Sequence, residues 1–167
     1  MCLARRVSRS CVRGLRWYYT PAVLSKFNAQ TTNPCWRQCG GSGDLLHILW
    51  NCPKLRLYWD NVFHVVSEVV HARTERDPAL ALLSLGIELL RKDKQHVVVN
   101  LLLAARLSIT RKWKHLIPPT IAEVIDLTNL HYTHKRLLAS SLGRLNLATD
   151  MWSPWSNWFA SSEEFSM

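Results

Sequence analysis

Acidic residues are missing from the first quarter of this chain. The first is Asp44, whereas Arg5, Arg6, Arg9, Arg13, Arg16, Lys26 and Arg37 all precede it. Of the net charge of +9, seven units therefore lie before residue 44, and the rest of the 167-residue chain is nearly balanced. So lopsided a distribution points to a polyanionic partner, either nucleic acid or an anionic membrane surface, held by the N-terminal part.

Long hydrophobic runs are also lacking. The longest candidate, VVVNLLLAARLSI from Val97, is broken by Asn100 and Arg106. It falls short of the ~18 apolar residues of a membrane span and reads as a buried helix. The opening MCLARRVSRSCVRGL has no apolar stretch of signal-peptide type. Its Arg5, Arg9, Arg13 and Arg16 share one helical face, opposite Leu3, Val7 and Val12. Three readings stand for residues 1–15: a transit peptide, a nucleic-acid-binding arm, or a poorly ordered basic leader. Cysteine is scarce and odd in number, five in all, with three inside eighteen positions. That pattern argues against a disulfide framework.

Catalytic signatures are absent as well. There is no P-loop, GxSxG, HExxH or adjacent Asp-Asp pair. Glu123 and Asp126 share a helix face, but Glu123 is better explained as a cap and the pair as a solvated face. His131 and His134, three apart, supply two ligands where a metal site needs more. The chain is read as non-enzymatic.

What is present is CWRQCGGSGDLLHILWNC, residues 35–52. Its spacing is Cys35-x3-Cys39-x7-His47-x4-Cys52, and three thiolates with one imidazole are a common zinc set. Four protein ligands leave no open position for substrate or water, so a structural Zn2+ is expected rather than a catalytic one. The GGSG between ligands supplies backbone freedom for the chain to fold back. Three thiolates on a divalent ion leave a net charge of −1, which Arg37 and the local basic surplus would offset. The bland alternative is that the cysteines are small buried hydrophobes and His47 an ordinary helix residue.

Elsewhere the periodicity is helical. Pro53 opens an amphipathic helix through Leu55, Tyr58, Trp59, Val62, Phe63 and Val66, broken at ARTERDP. Asp77-Pro78 is a second helix start, although LALLSLGIELL is ambiguous between helix and strand. From Asp93 a long, central helix is predicted, with Arg111, Lys112, Lys114 and His115 opposing its dipole at the C-terminal end. TIAE at Thr120–Glu123 matches a capping box, and its helix runs through Val124, Ile125, Tyr132, Leu137 and Leu138 to about Gly143. A last helix is expected from Ser153-Pro154, with Trp152, Trp155, Trp158 and Phe159 on an apolar face.

The predicted architecture is mainly α: a helical domain with a small zinc-binding cysteine-histidine module near the N-terminus. It divides as a leader (1–15), the module and first long helix (16–75), a helical domain (76–160) and a tail (161–167). Trp17, Trp36 and Trp50 lie among basic residues. They either stack on bases while Arg13, Arg16, Lys26 and Arg37 meet phosphates, or form the small core of the module. Trp36 and Arg37, between two ligands, are the best candidates for exposed contacts.

RWYYTP, CWRQCG, LLHILWNCPK, NLLLAARLSITRKWK, PPTIAEVI and LASSLGRLN…WSPW together resemble the C-terminal region of the reverse transcriptase polyprotein of LINE-type (non-LTR) retrotransposons. The likeness runs in order over about residues 16 to 160. It implies a C-x3-C-x7-H-x4-C zinc motif on Cys35, Cys39, His47 and Cys52, and binding of RNA, with target DNA as a further ligand, in support of target-primed reverse transcription. It also implies a nuclear or cytoplasmic setting. The upstream endonuclease and the polymerase with its paired aspartates have no counterpart here, so a truncated or inert product is one expectation. A further alternative is a protein-interaction module whose Trp152–Phe159 face docks onto the polymerase.

Overall fold

The structure, a computed structural model, describes residues 19–27 and 34–164. Its helices are α1 (Pro21–Leu24), α2 (Arg56–Val70), α3 (Pro78–Leu83), α4 (Lys92–Arg111), α5 (Ile121–Ser141) and α6 (Leu145–Glu164). A π-turn (His47–Asn51) and a 3-10 turn (Pro53–Leu55) lead into α2. Among the described residues there is no strand, and Pro34 and Ser42 form an isolated antiparallel bridge. The fold is mainly α, with the cysteine-histidine cluster near its N-terminal side.

Helix α4 is central, packing against α2, α3, α5 and α6. Val97, Val98, Leu101, Leu102, Ala104, Ala105 and Ile109 are all buried along it. The two polar interruptions of its sequence are satisfied locally. Asn100 donates to the carbonyl of His96 (2.8 Å), and Arg106 donates to the carbonyl of Ala81 (2.7 Å) at the end of α3. The Tyr58 hydroxyl sits between the Ala105 carbonyl (2.8 Å) and the Ser108 hydroxyl (2.7 Å), fixing α2 on α4, and burial pushes its pKa up. Cys35, Leu49 and Cys52 belong to the same buried cluster as Val97 and Trp155, so the core is continuous from the cysteine module to the last helix.

Two of the expected helix starts are capped as the sequence predicts. Asp77 accepts from the Leu80 amide (2.7 Å), and Thr120 and Glu123 form a reciprocal capping box. LALLSLGIELL resolves into the short α3 followed by a turn.

Helix α6 departs from expectation. It begins at Leu145 and passes through Pro154 without stopping, so Ser153 is no N-cap. A proline lacks the N–H that would bond to the carbonyl four residues back. Here Ser153 Oγ donates to that carbonyl, Asp150 O, at 2.9 Å. Trp152 and Trp155 are buried in this chain's own core, and Trp155 Nε1 donates to Asn129 Oδ1 (2.8 Å). Two of the four rings expected on that face are thus taken up by the chain's own core, while Trp158 and Phe159 are half-buried. Leu137 and Leu138, on the second half of α5, are exposed. Among the described residues no helix is long and apolar enough to cross a membrane.

Candidate metal centre and the surface beside it

The cysteine-rich loop is built by short-range hydrogen bonds. Pro34 pairs with Ser42, the Cys35 amide donates to Gly41 O (2.9 Å), and the Gln38 amide donates to Cys35 O (2.9 Å). The return turn places Cys39 beside the point where the chain leaves. Asp44 then caps the next turn, accepting from the His47 amide at 2.8 Å. The wide π-turn closes with Cys52 N–H donating to His47 O (2.9 Å), which puts the fourth residue of the set back under the loop.

The result is a four-donor cluster. Ligand atoms of Cys35, Cys39, His47 and Cys52 all lie within 4.8 Å of one another. Cys35 Sγ is 4.0 Å from Cys52 Sγ, and Cys39 Sγ is 3.1 Å from His47 Nε2. A tetrahedral ion with bonds of ~2.3 Å to sulfur needs sulfur–sulfur edges of ~3.8 Å, so the donors fit such an ion with small adjustments. These four residues could hold a metal ion. Cys35 and Cys52 are buried and the other two half-buried, so the site is shielded on its core side.

Electrostatics within the cluster favour a cation. Burial pushes the Cys35 thiol up to about 11, and Cys39 and Cys52 add to the rise. Burial also raises Cys39, but hydrogen bonds from the Gly41 amide and from His47, Cys52 and Cys35 outweigh it and bring that thiol down to about 7. Crowded sulfurs resist sharing negative charge, and a metal cation relieves that conflict.

Glycine is used differently from the simple expectation of a flexible loop. Gly40 has a left-handed φ of +81°. Gly41 is required for close approach: a Cβ there would lie 2.3 Å from Cε1 of His47. Gly43 faces the ring of Pro21 in the same way, and the Ala22 amide donates to Gly43 O (3.3 Å), so α1 leans on the loop.

Arg37 is not the exposed phosphate contact expected of it. It is 0% exposed, with Nη1 donating to Ile48 O at 2.9 Å. The loop turns its side chain inward beneath the π-turn, and its Nε and Nη2 find no hydrogen-bond partner. Trp50 also departs from the base-stacking reading. Its ring packs against Trp59 (5.2 Å) and Phe63 (6.2 Å), and the Arg76 guanidinium lies 5.2 Å from its centroid. Lys26 is exposed just beyond α1. Arg13, Arg16 and Trp17 lie outside the described residues.

Trp36 is half-buried, and its neighbours come from a distant segment. Its ring meets Trp113 edge-on, with centroids 4.9 Å apart at 65°, and Lys114 Nζ lies 5.7 Å from the Trp36 centroid. Exposed Arg111 and His115 flank the same turn. By sequence this RKWKH run was assigned to the dipole of α4, and its contact with the cysteine loop was not foreseen. The signal was there, a tryptophan with cations on both sides, but only the fold brings it to the metal loop. No protein-family model matches the chain.

Proposed function

We propose that Cys35, Cys39, His47 and Cys52 hold one structural Zn2+ and that the surface beside it binds single-stranded nucleic acid, RNA first and target DNA second. On this reading the chain is an accessory, non-catalytic module like the C-terminal region of LINE-type reverse transcriptase proteins, to which its motifs bear a resemblance. Sulfur and imidazole donors favour zinc over hard cations, and four protein ligands complete the tetrahedron. When bound, the ion supplies folding energy rather than a reactive water.

The observation that carries the nucleic-acid reading is the meeting of Trp36 with Trp113 and Lys114 at the edge of the metal loop. Bases need aromatic faces and phosphates need cations at the same place. On this reading a base takes the face of Trp36 now under Lys114, and Lys114, Arg111 and His115 turn to the backbone. Lys26 adds charge from the α1 side.

The test is anisotropy of a labelled single-stranded RNA with zinc-loaded protein over a range of salt. Log affinity should fall linearly with log salt, by ~0.7 for each phosphate contacted. Weak binding at every salt concentration would overturn the reading. For the metal, Cys35→Ala with Cys39→Ala should abolish stoichiometric zinc; full zinc content in that variant would refute the ligand set.

A further inference from the structure

Helix α5 outruns the core it belongs to. Its buried residues are Val124, Leu127 and Thr128, all in its first half. Beyond them the end of α5 and the start of α6 form a helical hairpin, exposed from Thr133 to Leu147 except at the half-buried Ala139. Its surface is not polar throughout, as that of a solvated projection would be. Leu138 is 55% exposed, Leu142 60% and Leu147 63%, with Leu137 and Leu145 also at the surface. Isolated exposed leucines are ordinary, whereas a contiguous apolar patch marks an interaction site.

Between the two helices this patch becomes a groove of about 420 Å³. Leu138, Leu142, Leu147 and Met151 are among its apolar walls, and buried Trp152 closes its inner end beside His96. The charged side chains lining it are Lys135 and Arg144; no carboxylate lines it among the described residues. Arg136, next to Lys135 on α5, lies over the ring of Tyr132 at 5.4 Å.

We infer that this groove receives an amphipathic helix from a protein partner, with leucine-type anchors facing the groove and carboxylates facing Lys135 and Arg144. Three observations select this occupant. The exposed walls are aliphatic and the indole of Trp152 is buried at the inner end, so the open part of the groove offers no stacking platform to bases. A second copy would bring Lys135 and Arg144 against Lys135 and Arg144, a like-charge arrangement that opposes self-association. From Lys135 to Leu142 the wall runs ~11 Å, two helical turns, which suits anchors at i, i+3 or i+4, and i+7. The chain's own N-terminal segment is an unsuitable occupant, since residues 1–18 hold five arginines and no acid.

The probe is a 16-residue amphipathic peptide with leucines at helical spacing and glutamates on both flanks. It is compared with the same peptide carrying lysines for glutamates and with a scrambled sequence, all against the full chain. Saturable binding of the glutamate peptide is expected, at least about tenfold tighter than the lysine peptide. Leu138→Asp with Leu142→Asp should weaken it by about thirtyfold or more, with the thermal transition of the chain unchanged because both residues are exposed. Lys135→Glu with Arg144→Glu should reverse the preference, so that the lysine peptide binds better. Equal binding of all three peptides, or no binding, overturns the inference. So does concentration-dependent dimerisation in ultracentrifugation that Leu138→Asp abolishes, which would give the face to a second copy. Single-stranded RNA displacing the peptide from this groove would likewise reassign it.

Discussion

The rings of Trp36 and Trp113 meet edge-on at 4.9 Å, joining the loop between two candidate metal-ligand cysteines to the turn that ends the central helix. This contact makes the metal loop and the RKWKH segment one surface. Trp113→Ala should therefore lower RNA affinity together with Trp36→Ala, and the double variant should lose less than the sum of the two. A stacked base is worth about 1–3 kcal/mol, so a loss of about fivefold or more is expected in anisotropy. Strict additivity would mean that the two rings act separately.

Removing the metal should unfold only part of the molecule. Structural zinc in small fingers contributes an apparent ~10–16 kcal/mol at pH 7, while most of the buried cluster lies on α2, α4, α5 and α6. After chelation, amide protection should vanish over residues 34–52 and persist in α4. Uniform loss of protection would show that the helical core depends on the ion.

Gly41 and Gly40 separate two roles of glycine. Gly41→Ala puts a methyl group into the His47 ring and should cut metal affinity by ten- to a hundredfold, an effect of the size seen when a ligand's support is lost. Gly40→Ala meets no neighbour but strains a left-handed residue. It should cost ~1 kcal/mol of stability and leave the metal in place. Competition with a chromophoric chelator measures the first effect and urea denaturation the second.

Arg37 serves the interior. Arg37→Met removes the bond to Ile48 O and the positive charge set within the metal loop. We expect a loss of ~1–3 kcal/mol in stability and no change in the salt dependence of RNA binding. Lys114→Glu should do the opposite, lowering the salt slope with little effect on stability. A smaller slope in Arg37→Met would place Arg37 on phosphate after all.

Glu123 joins α4 to α5, with Lys112 Nζ at 2.6 Å and the Thr120 amide at 3.2 Å from Oε1. Burial raises its pKa, but Lys112 and the Thr120 amide more than offset this and hold it below the ordinary carboxylate value. Its contribution is therefore present above the unfolded-state pKa and is lost as pH falls through the lowered folded value. For a pair about one-third exposed, Glu123→Gln should cost no more than ~1 kcal/mol at pH 7. Denaturation of both proteins at neutral pH and in strong acid should show the difference shrinking towards zero.

Much of the architecture was legible locally. Thr120-x-x-Glu123 capped α5 because a capping box needs only four residues, and Asp77-Pro78 opened α3 for the same kind of reason. The candidate ligand set was legible because cysteine and histidine at those spacings have few other uses, and the fold brings the four donor atoms within 4.8 Å of one another. Pro154 misled the reading of α6: proline normally marks a helix start, and here the Ser153 hydroxyl bonds to the carbonyl it leaves unpaired.

By itself, then, the sequence determined the helical class, the caps and the four candidate metal ligands, all of which depend on interactions within a few residues or on side-chain chemistry. Only the tertiary structure decided which side chains face outward. It turned Arg37 inward, set Trp36 against Trp113, buried Trp152 and Trp155, and left Leu138 and Leu142 on an uncovered hairpin. Periodicity can assign a residue to one face of a helix, but whether that face is covered depends on where the neighbouring helices end.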